Sequence, residues 1–204
     1  MKVYLVRHGQ TYTNLLSCHS GWADVPLTPQ GERDALEART LLKGIAFDHV
    51  YTSDLRRAIQ TEKIALEGAD AEYSPLIREL NVGFLAGHYV SDCLQKYGEE
   101  YVENKKRYDY TPYGGESYEM FSSRISQFLS QLEKTEYESV AVFCHEGVIR
   151  TMADVIFGVF IPRKTLVCEN GSISVIEYQN GAWRVLEWNR KKQVTGALAD
   201  TEAV

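Results

Sequence analysis

The chain has 204 residues, 44% of them hydrophobic, which is enough to build one domain with a substantial buried core. Its net charge of −6 argues against general nucleic-acid binding, so we expect no nucleic-acid partner. No segment is long and apolar enough to predict a membrane span, and the N-terminus lacks the apolar core of a signal peptide, so we expect a cytoplasmic protein without a membrane partner.

The four cysteines are scattered along the chain and show no paired spacing. This distribution predicts reduced thiols, and it is not typical of a disulfide framework or a zinc site. The cysteines are Cys18, Cys93, Cys144 and Cys168.

The first half of the chain alternates predicted strands and helices. Val3–Val6 is short, apolar and β-branched, which predicts a buried strand that ends at Gly9. Thr28 is a good N-cap before Pro29, and together they predict a helix that runs to about Lys43. Further predicted elements are a helix starting near Gln10, a strand over 47–52, a helix over 54–66 capped by Ser53, and a strand over 71–74.

The middle of the chain is less regular, with a predicted loop over 77–88 and short helices from Val90 to about Lys106. Ser117 begins a clearer helix, because the apolar residues that follow it recur at helical spacing. The remaining predictions are a strand over 139–143, a helix over 147–157, a hairpin whose strands over 172–178 and 183–188 flank Asn180-Gly181, and a polar, loose tail from Lys192.

This alternation predicts an α/β fold. We expect a three-layer sandwich with a mostly parallel central sheet flanked by helices and a C-terminal β-hairpin. A single domain over residues 1–204 is expected, with a helical lid-like insert around 88–113. Ligands of such sheets bind beyond the carboxyl ends of the strands. His8 and His145 both follow predicted strands, so we expect them to meet over one crevice.

The segment Arg7-His8-Gly9 carries the first chemical signal. A lone histidine is usually structural or exposed, but a neutral imidazole is also a competent nucleophile toward phosphorus. Arg7 offers a planar donor fork suited to phosphate oxygens, and Gly9 permits a close backbone approach. A second arginine is available in "SDLRRAIQT". Arg56 and Arg57 point about 100° apart on a helix, so only one of them faces the site, and periodicity does not choose between them.

Six segments occur in a characteristic order: "RHGQT", "GWADVPLTPQG", "SDLRRAIQT", "REL", "GGES" and "CHEGVIR". From Val3 to about Arg150 the chain thereby resembles the histidine phosphatase superfamily, also called the phosphoglycerate mutase-like family, and its phosphatase branch in particular. The resemblance implies a small phosphorylated substrate, no metal and no organic cofactor. We expect a monomer or a homodimer.

The resemblance also implies the roles of five catalytic residues. His8 matches the histidine that becomes phosphorylated, and Glu79 matches the proton donor to the leaving oxygen. On its own, Glu79 would be interpreted as an ordinary surface carboxylate. The residues that match those holding the phosphoryl group are Arg7, Arg57 and His145.

Five further residues are candidate substrate contacts. Asn14 and Gly21 match secondary phosphate contacts. Gly115 and Glu116 match a segment near the substrate entrance, although the same residues are compatible with a plain turn before a helix. His88 follows the acid-bearing loop and is a candidate for the pocket wall, whereas the simpler interpretation of the histidines outside the motifs is a solvent or loop position.

Two departures from the family pattern bear on the substrate. Leu85-Ala86-Gly87 stands where many family phosphatases have "WEG", and Glu62 replaces the alanine of the usual "QTA". Neither change touches the phosphoryl-transfer residues. Sugar phosphates, phosphoglycerates, nucleotide-like monoesters and phosphoproteins are all compatible with the motifs.

Three other functions compete with a phosphatase. A phosphoglycerate mutase-type transferase uses the same histidine, but family mutases have a longer insertion than the 66 positions that separate Glu79 from His145. A non-catalytic phosphate-binding protein on the same fold would tolerate the loss of His8 or Glu79, and both are present. A metal hydrolase is not favoured, because the chain has no HxH or HExxH spacing.

Overall fold

The computed structural model describes residues 1–163 and 165–191. Its centre is a six-stranded sheet in the order β3-β2-β4-β1-β5-β6. The strands are β1 (Lys2–Arg7), β2 (His49–Thr52), β3 (Glu72–Tyr73), β4 (Ser139–Cys144), β5 (Ile173–Gln179) and β6 (Ala182–Arg190). Strands β3, β2, β4 and β1 run parallel to one another. The hairpin β5–β6 adds two antiparallel strands beside β1. The predicted mostly parallel sheet and C-terminal hairpin are therefore confirmed.

Among the described residues, six α-helices and three short 3₁₀ turns connect the strands. The helices are α1 (Tyr12–Leu15), α2 (Pro29–Leu42), α3 (Arg56–Ala65), α4 (Val90–Arg107), α5 (Tyr118–Leu132) and α6 (Glu146–Phe157). The 3₁₀ turns are Pro75–Ile77, Gly83–Leu85 and Thr111–Tyr113. Within the described part of the chain, no helix combines the length and apolar character needed to cross a membrane.

Alternation along β4 divides the apolar side chains between two cores. Val140 and Val142 face the side covered by α5 and α6, whereas Ala141 and Phe143 face the side covered by α2 and α3. Successive residues of a strand point to opposite faces, so an apolar run buries both faces of the sheet. The result is the expected arrangement of three layers, with helices on either side of the sheet.

Two local predictions need correction. The third helix begins at Arg56, and Ser53 does not cap it, because its hydroxyl accepts from Leu55 N and bonds to the His145 ring. The helix expected near Gln10 is the single turn α1, capped by the Thr11 side chain. The short helices expected from Val90 are confirmed, because the non-helical conformation of Gly98 (φ +58°, ψ −137°) divides α4 into two helical parts.

The segment expected to be a lid-like insert packs into the main core. Tyr101, Tyr110 and Tyr113 are each at most 4% exposed and belong to the same apolar cluster as Leu5 of β1. The organisation of residues 1–204 as a single domain stays a prediction, and the tail from Lys192 lies outside the described residues.

The strand register determines where the site forms. Arg7 of β1 lies opposite Cys144 of β4, and Thr52 of β2 lies opposite Phe143 of β4. Three parallel strands therefore end at one edge of the sheet. The residues that follow them are His8, His145 and Ser53, which are consequently neighbours in space.

Candidate active site

His8 and His145 lie side by side beyond the strand ends. Their ring centroids are 5.2 Å apart and their planes are inclined by 60°. The backbone N–H of His8 donates to Cys144 O at 3.0 Å, which continues the β1–β4 ladder by one residue. The expected meeting of the two histidines is confirmed, with His8 in the cavity lining and the fully buried His145 beside it.

The hydrogen bonds of His8 assign its tautomer. Nδ1 lies 2.7 Å from Gly9 O, and a carbonyl oxygen only accepts, so Nδ1 carries the proton. Arg57 Nε, which only donates, lies 3.3 Å from Nε2. The lone pair of the neutral ring is therefore on Nε2. Burial, together with the charges of Arg57 and Arg7, holds the pKa of His8 well below its usual range.

Arg57 is a fully buried guanidinium in the first turn of α3. Besides His8, it donates to Gly21 O at 2.8 Å and to Ala23 O at 3.2 Å. Burial lowers its pKa to about 10, so the side chain stays charged at neutral pH. Arg56, the alternative in the sequence, is exposed. The structure thus places Arg57, and not Arg56, against the histidine.

Arg7 supplies a second guanidinium from the end of β1. Its Nη1 donates to Cys168 O, and its Nη2 lies 3.0 Å from the carboxylate of Glu146. These two contacts hold a side chain that is only 11% exposed. Arg7 and His8 line the same cavity, which has a volume of about 220 Å³.

His145 completes the buried cluster. Its Nε2 lies 2.8 Å from Ser53 Oγ, and its buried Nδ1 has no hydrogen-bond partner in the described part of the structure. Burial, followed by the charge of Arg57 and the neighbouring His8, lowers the pKa of His145 well below its usual range. The ring is therefore neutral and keeps one unsatisfied nitrogen next to His8.

Glu79 lines the same cavity, and its carboxylate lies beside the start of α6. Its Oε1 accepts from Leu80 N at 2.8 Å, and its Oε2 accepts from Gly147 N at 3.2 Å. A Cβ added at Gly147 would overlap the Glu79 carboxylate, so a larger residue there would displace that carboxylate from its present position. Glu79 O also accepts from Arg124 Nη2 and Trp22 Nε1, at 2.8 and 2.6 Å. Side-chain and backbone contacts therefore orient one carboxylate toward the histidine cluster.

Two of the predicted substrate contacts line this cavity. Asn14 Oδ1 accepts from Thr11 N and from Asn170 Nδ2, at 3.1 and 3.2 Å, which fixes the amide beside His8. Gly21 has a positive φ of +45° and directs its carbonyl oxygen to the Arg57 guanidinium. Asn14 and Gly21 therefore lie with the five predicted catalytic residues.

The other three candidates lie outside the cavity lining. His88 is exposed and lines a separate small cavity. Glu116 forms an ion pair with Arg124 at 2.8 Å, and Gly115 packs so closely on Asn81 O that a Cβ would overlap it. Both residues brace the backbone that carries Glu79. Their role as substrate contacts stays a prediction.

Several residues in the site were missed by the sequence analysis. Glu146 and Arg150 line the cavity and form an ion pair at 2.8 Å on the first turn of α6. Arg163 and Tyr108 line it as well, with the guanidinium 4.8 Å from the ring centroid. The segment "CHEGVIR" could have predicted the Glu146–Arg150 pair, because residues four apart on a helix share a face.

His19 also differs from expectation. It was expected in a solvent or loop position, but it is 9% exposed, lines the cavity, and bonds through Nε2 to Tyr101 OH at 2.6 Å. Burial, followed by the charge of Lys105, lowers its pKa to about 4. Across the described residues, no group of three or more histidine, cysteine or carboxylate side chains is arranged to hold a metal ion.

The buried imidazoles predict a distinctive pH response. We expect the His8 and His145 rings to remain neutral at pH 5.5, because burial and adjacent guanidinium charges oppose protonation. The unfolded chain binds protons at these residues below about pH 6.5, whereas the folded chain does not. The free energy of unfolding should therefore decrease, and the protein become less stable, as the pH falls through that value. Nitrogen-15 NMR of histidine-labelled protein tests this, with His8→Gln and His145→Gln to assign the signals. Titration of either ring near pH 6.5 would contradict it.

Comparisons with known proteins agree with this geometry. The profile of the histidine phosphatase superfamily (branch 1) matches residues 3–191. The chain is 30% identical to the adenosylcobalamin/alpha-ribazole phosphatase of Escherichia coli (strain K12) over 195 residues, or 94% of this chain and 92% of that protein. It is 41% identical to the 2,3-bisphosphoglycerate-dependent phosphoglycerate mutase of Treponema pallidum (strain Nichols) over 120 residues, but this covers only 55% of this chain and 48% of that protein.

A solved structure shows the same similarity in three dimensions. The alpha-ribazole phosphatase from Shigella flexneri superposes with a TM-score of 0.84 at 27% identity, covering 93% of this chain and 96% of that one. Together with the profile match over residues 3–191, this similarity means that the chain belongs to branch 1 of the histidine phosphatase superfamily.

Proposed function

We propose that this protein is a phosphatase that hydrolyses a small phosphomonoester through a phosphohistidine on His8. The observation that carries the proposal is the environment of His8. A neutral ring with its proton on Nδ1 has its lone pair on Nε2, beside a buried guanidinium and within the cavity that Glu79 lines. Phosphoryl transfer depends mainly on positioning and charge stabilisation, and this arrangement supports both.

In the first step, the phosphoryl group enters between the cations and the two imidazoles. Arg7 and the neutral His145 bind its non-bridging oxygens, and the Arg57 Nε–H turns from His8 Nε2 to another of them, which frees the Nε2 lone pair to attack phosphorus. The P–N bond forms as the ester P–O bond breaks. The departing oxygen takes a proton from Glu79, which enters this step as the carboxylic acid and leaves it as the carboxylate. The Nδ1–H of His8 keeps its bond to Gly9 O, which stabilises the positive charge on the phosphorylated ring.

In the second step, water attacks the phosphorus atom of phosphohistidine. Glu79 accepts the proton of that water, the P–N bond breaks, and inorganic phosphate leaves. The neutral His8 ring is restored with its proton still on Nδ1. Neither step requires a metal ion or an organic cofactor.

A mutase is the second candidate function, and the similarity to phosphoglycerate mutases supports it. A mutase returns the phosphoryl group to a bound intermediate, which requires that water be kept away. We favour hydrolysis because the alpha-ribazole phosphatase from Shigella flexneri superposes with a TM-score of 0.84, whereas the phosphoglycerate mutase from Bacillus anthracis superposes with 0.77, each over 93% of this chain. Release of inorganic phosphate at the same rate as the alcohol product would indicate a phosphatase. A mutase would instead form an isomeric phosphomonoester and release little inorganic phosphate.

We also propose that residues 88–113 act as a lid-like insert over the cavity. Tyr108 at the end of α4 lines the cavity, and Tyr101 OH holds the cavity residue His19. Both tyrosines therefore connect the insert to the substrate space. Through these contacts, the insert can affect which alcohol portion of a substrate fits the cavity.

The experiment that tests the proposed function most directly is trapping of the phosphoenzyme. Rapid quenching with a ³²P-labelled phosphomonoester should give acid-labile, base-stable label on His8. His8→Ala should abolish both labelling and turnover. His49→Ala is the matched control, because this histidine at the start of β2 pairs with Glu72 outside the cavity, and it should label normally. Near-normal turnover of His8→Ala would refute the mechanism.

Substitution of the two adjacent arginines separates their roles. Arg57→Ala should lower kcat by roughly 10²–10³-fold, because it removes a preorganised charge donor in a buried site. Arg56→Ala should have little effect, since that side chain is exposed. Steady-state assays on variants with a native circular dichroism spectrum provide the measurement. Equal, small losses for both would mean that Arg57 does not stabilise the transition state.

The role of Glu79 predicts a dependence on the leaving group. Glu79→Gln keeps the size of the side chain but removes the transferable proton. Single-turnover phosphorylation of His8 should slow by roughly 10²–10⁴-fold with an alkyl phosphate, whose alkoxide needs a proton. The loss should be much smaller with p-nitrophenyl phosphate, because p-nitrophenolate leaves without protonation. Equal losses for the two substrates would show that Glu79 positions the site and does not donate the proton.

A further inference from the structure

Glu146 is a cavity residue with no part in the steps above. It is the first residue of α6 and directly follows His145. Its side chain lines the cavity together with His8 and Glu79, and 32% of it is exposed. A carboxylate at this position faces the space that a phosphorylated substrate must enter.

The Glu146 carboxylate bridges two guanidinium groups. Oε2 lies 3.0 Å from Arg7 Nη2, and Oε1 lies 2.8 Å from Arg150 Nη2. Both arginine side chains are at least 86% buried from solvent, with exposures of 11% and 14%. Low exposure strengthens such pairs, so Glu146 neutralises about one positive charge inside the cavity wall.

The remaining charges can be assigned in the same way. Arg163 Nη1 lies 3.2 Å from the buried carboxylate of Asp154, so this pair is neutral overall. The guanidinium groups in or directly behind the cavity wall, among the residues the structure describes, are Arg7, Arg57, Arg150 and Arg163. After the pairing with Glu146 and Asp154, and with Glu79 as the carboxylic acid that the first step requires, a surplus of two positive charges matches one phosphoryl dianion. A second anionic group placed beside the exposed side of Glu146 would find no unpaired guanidinium there among the residues that the structure describes.

We propose that Glu146 is a specificity-determining residue that selects phosphomonoesters whose alcohol portion is uncharged over those that carry a second anionic group. The inference rests on the proposed function, since it concerns the substrate of the same site. Discrimination by a like charge acts against the wrong ligand and needs no new contact to the right one. The selected class includes phosphorylated polyols, sugars and nucleosides.

The test uses two probes that differ in one group. Glycerol 3-phosphate and 3-phosphoglycerate have the same carbon skeleton, but the second bears a carboxylate where the first has a hydroxymethyl group. Each is added as a competitor of p-nitrophenyl phosphate hydrolysis, and the apparent inhibition constants are compared. Competition reports binding even if a probe is turned over slowly. The ratio of the two constants isolates specificity from any general loss of activity.

For the unaltered chain, 3-phosphoglycerate should have an apparent inhibition constant roughly tenfold or more above that of glycerol 3-phosphate, because like charges placed together are strongly disfavoured. Glu146→Gln should bring this ratio close to one, mainly by strengthening 3-phosphoglycerate binding. Glu103→Gln is the control for loss of one negative charge, since Glu103 is exposed on α4 and pairs with Lys106 at 2.6 Å. Its ratio should equal that of the unaltered chain.

Two results would overturn the proposal. One is preferential binding of 3-phosphoglycerate by the unaltered chain, which would also strengthen the mutase alternative. The other is a ratio that Glu146→Gln leaves unchanged, which would limit Glu146 to holding the arginines. If the protein were not a phosphatase, the result would be different. Hydrolysis of p-nitrophenyl phosphate would then be absent, and no label would appear on His8.

Discussion

The parallel pairing of β1 with β4 is the constraint on which the site depends. This register brings two histidines that are more than a hundred residues apart in sequence to a ring separation of 5.2 Å. The adjacent β2 then brings the start of α3, and with it Arg57, to the same edge. No long loop has to position any of these side chains. The sheet edge therefore supplies a rigid base for groups that must be held closely for phosphoryl transfer.

Burial gives this base its electrostatic character. Arg57 is fully buried, and backbone carbonyl oxygens of Gly21 and Ala23 accept its N–H groups, which offsets part of the cost of removing the charge from water. The same charge helps to keep the pKa values of His8 and His145 low. A buried cation and a neutral nucleophile thus support each other. The cation attracts the anionic substrate, and it also prevents the protonation that would inactivate the attacking nitrogen.

Local sequence patterns predicted the parts of the site that follow strands. Arg7, His8 and His145 are adjacent to short apolar runs, so their position at the sheet edge follows from strand assignment. Long-range packing decided the rest. Periodicity could not choose Arg57 over Arg56, and the choice came from resemblance. Glu116 and Gly115 brace a loop instead of lining the cavity, because the path of that loop depends on Arg124 from a distant helix. The Glu146–Arg150 spacing was visible in the sequence, but its meaning required the position of Arg7.

The proposed mechanism requires that Nε2 of His8, and not Nδ1, face the phosphoryl group. Its most direct test is NMR of the trapped phosphoenzyme prepared with ¹⁵N-labelled histidine. One-bond coupling between phosphorus and nitrogen identifies the phosphorylated atom. The account predicts coupling to Nε2, with Nδ1 still protonated by virtue of its bond to Gly9 O. Coupling to Nδ1 would contradict it, because the Gly9 contact would then have to break before the ring could react.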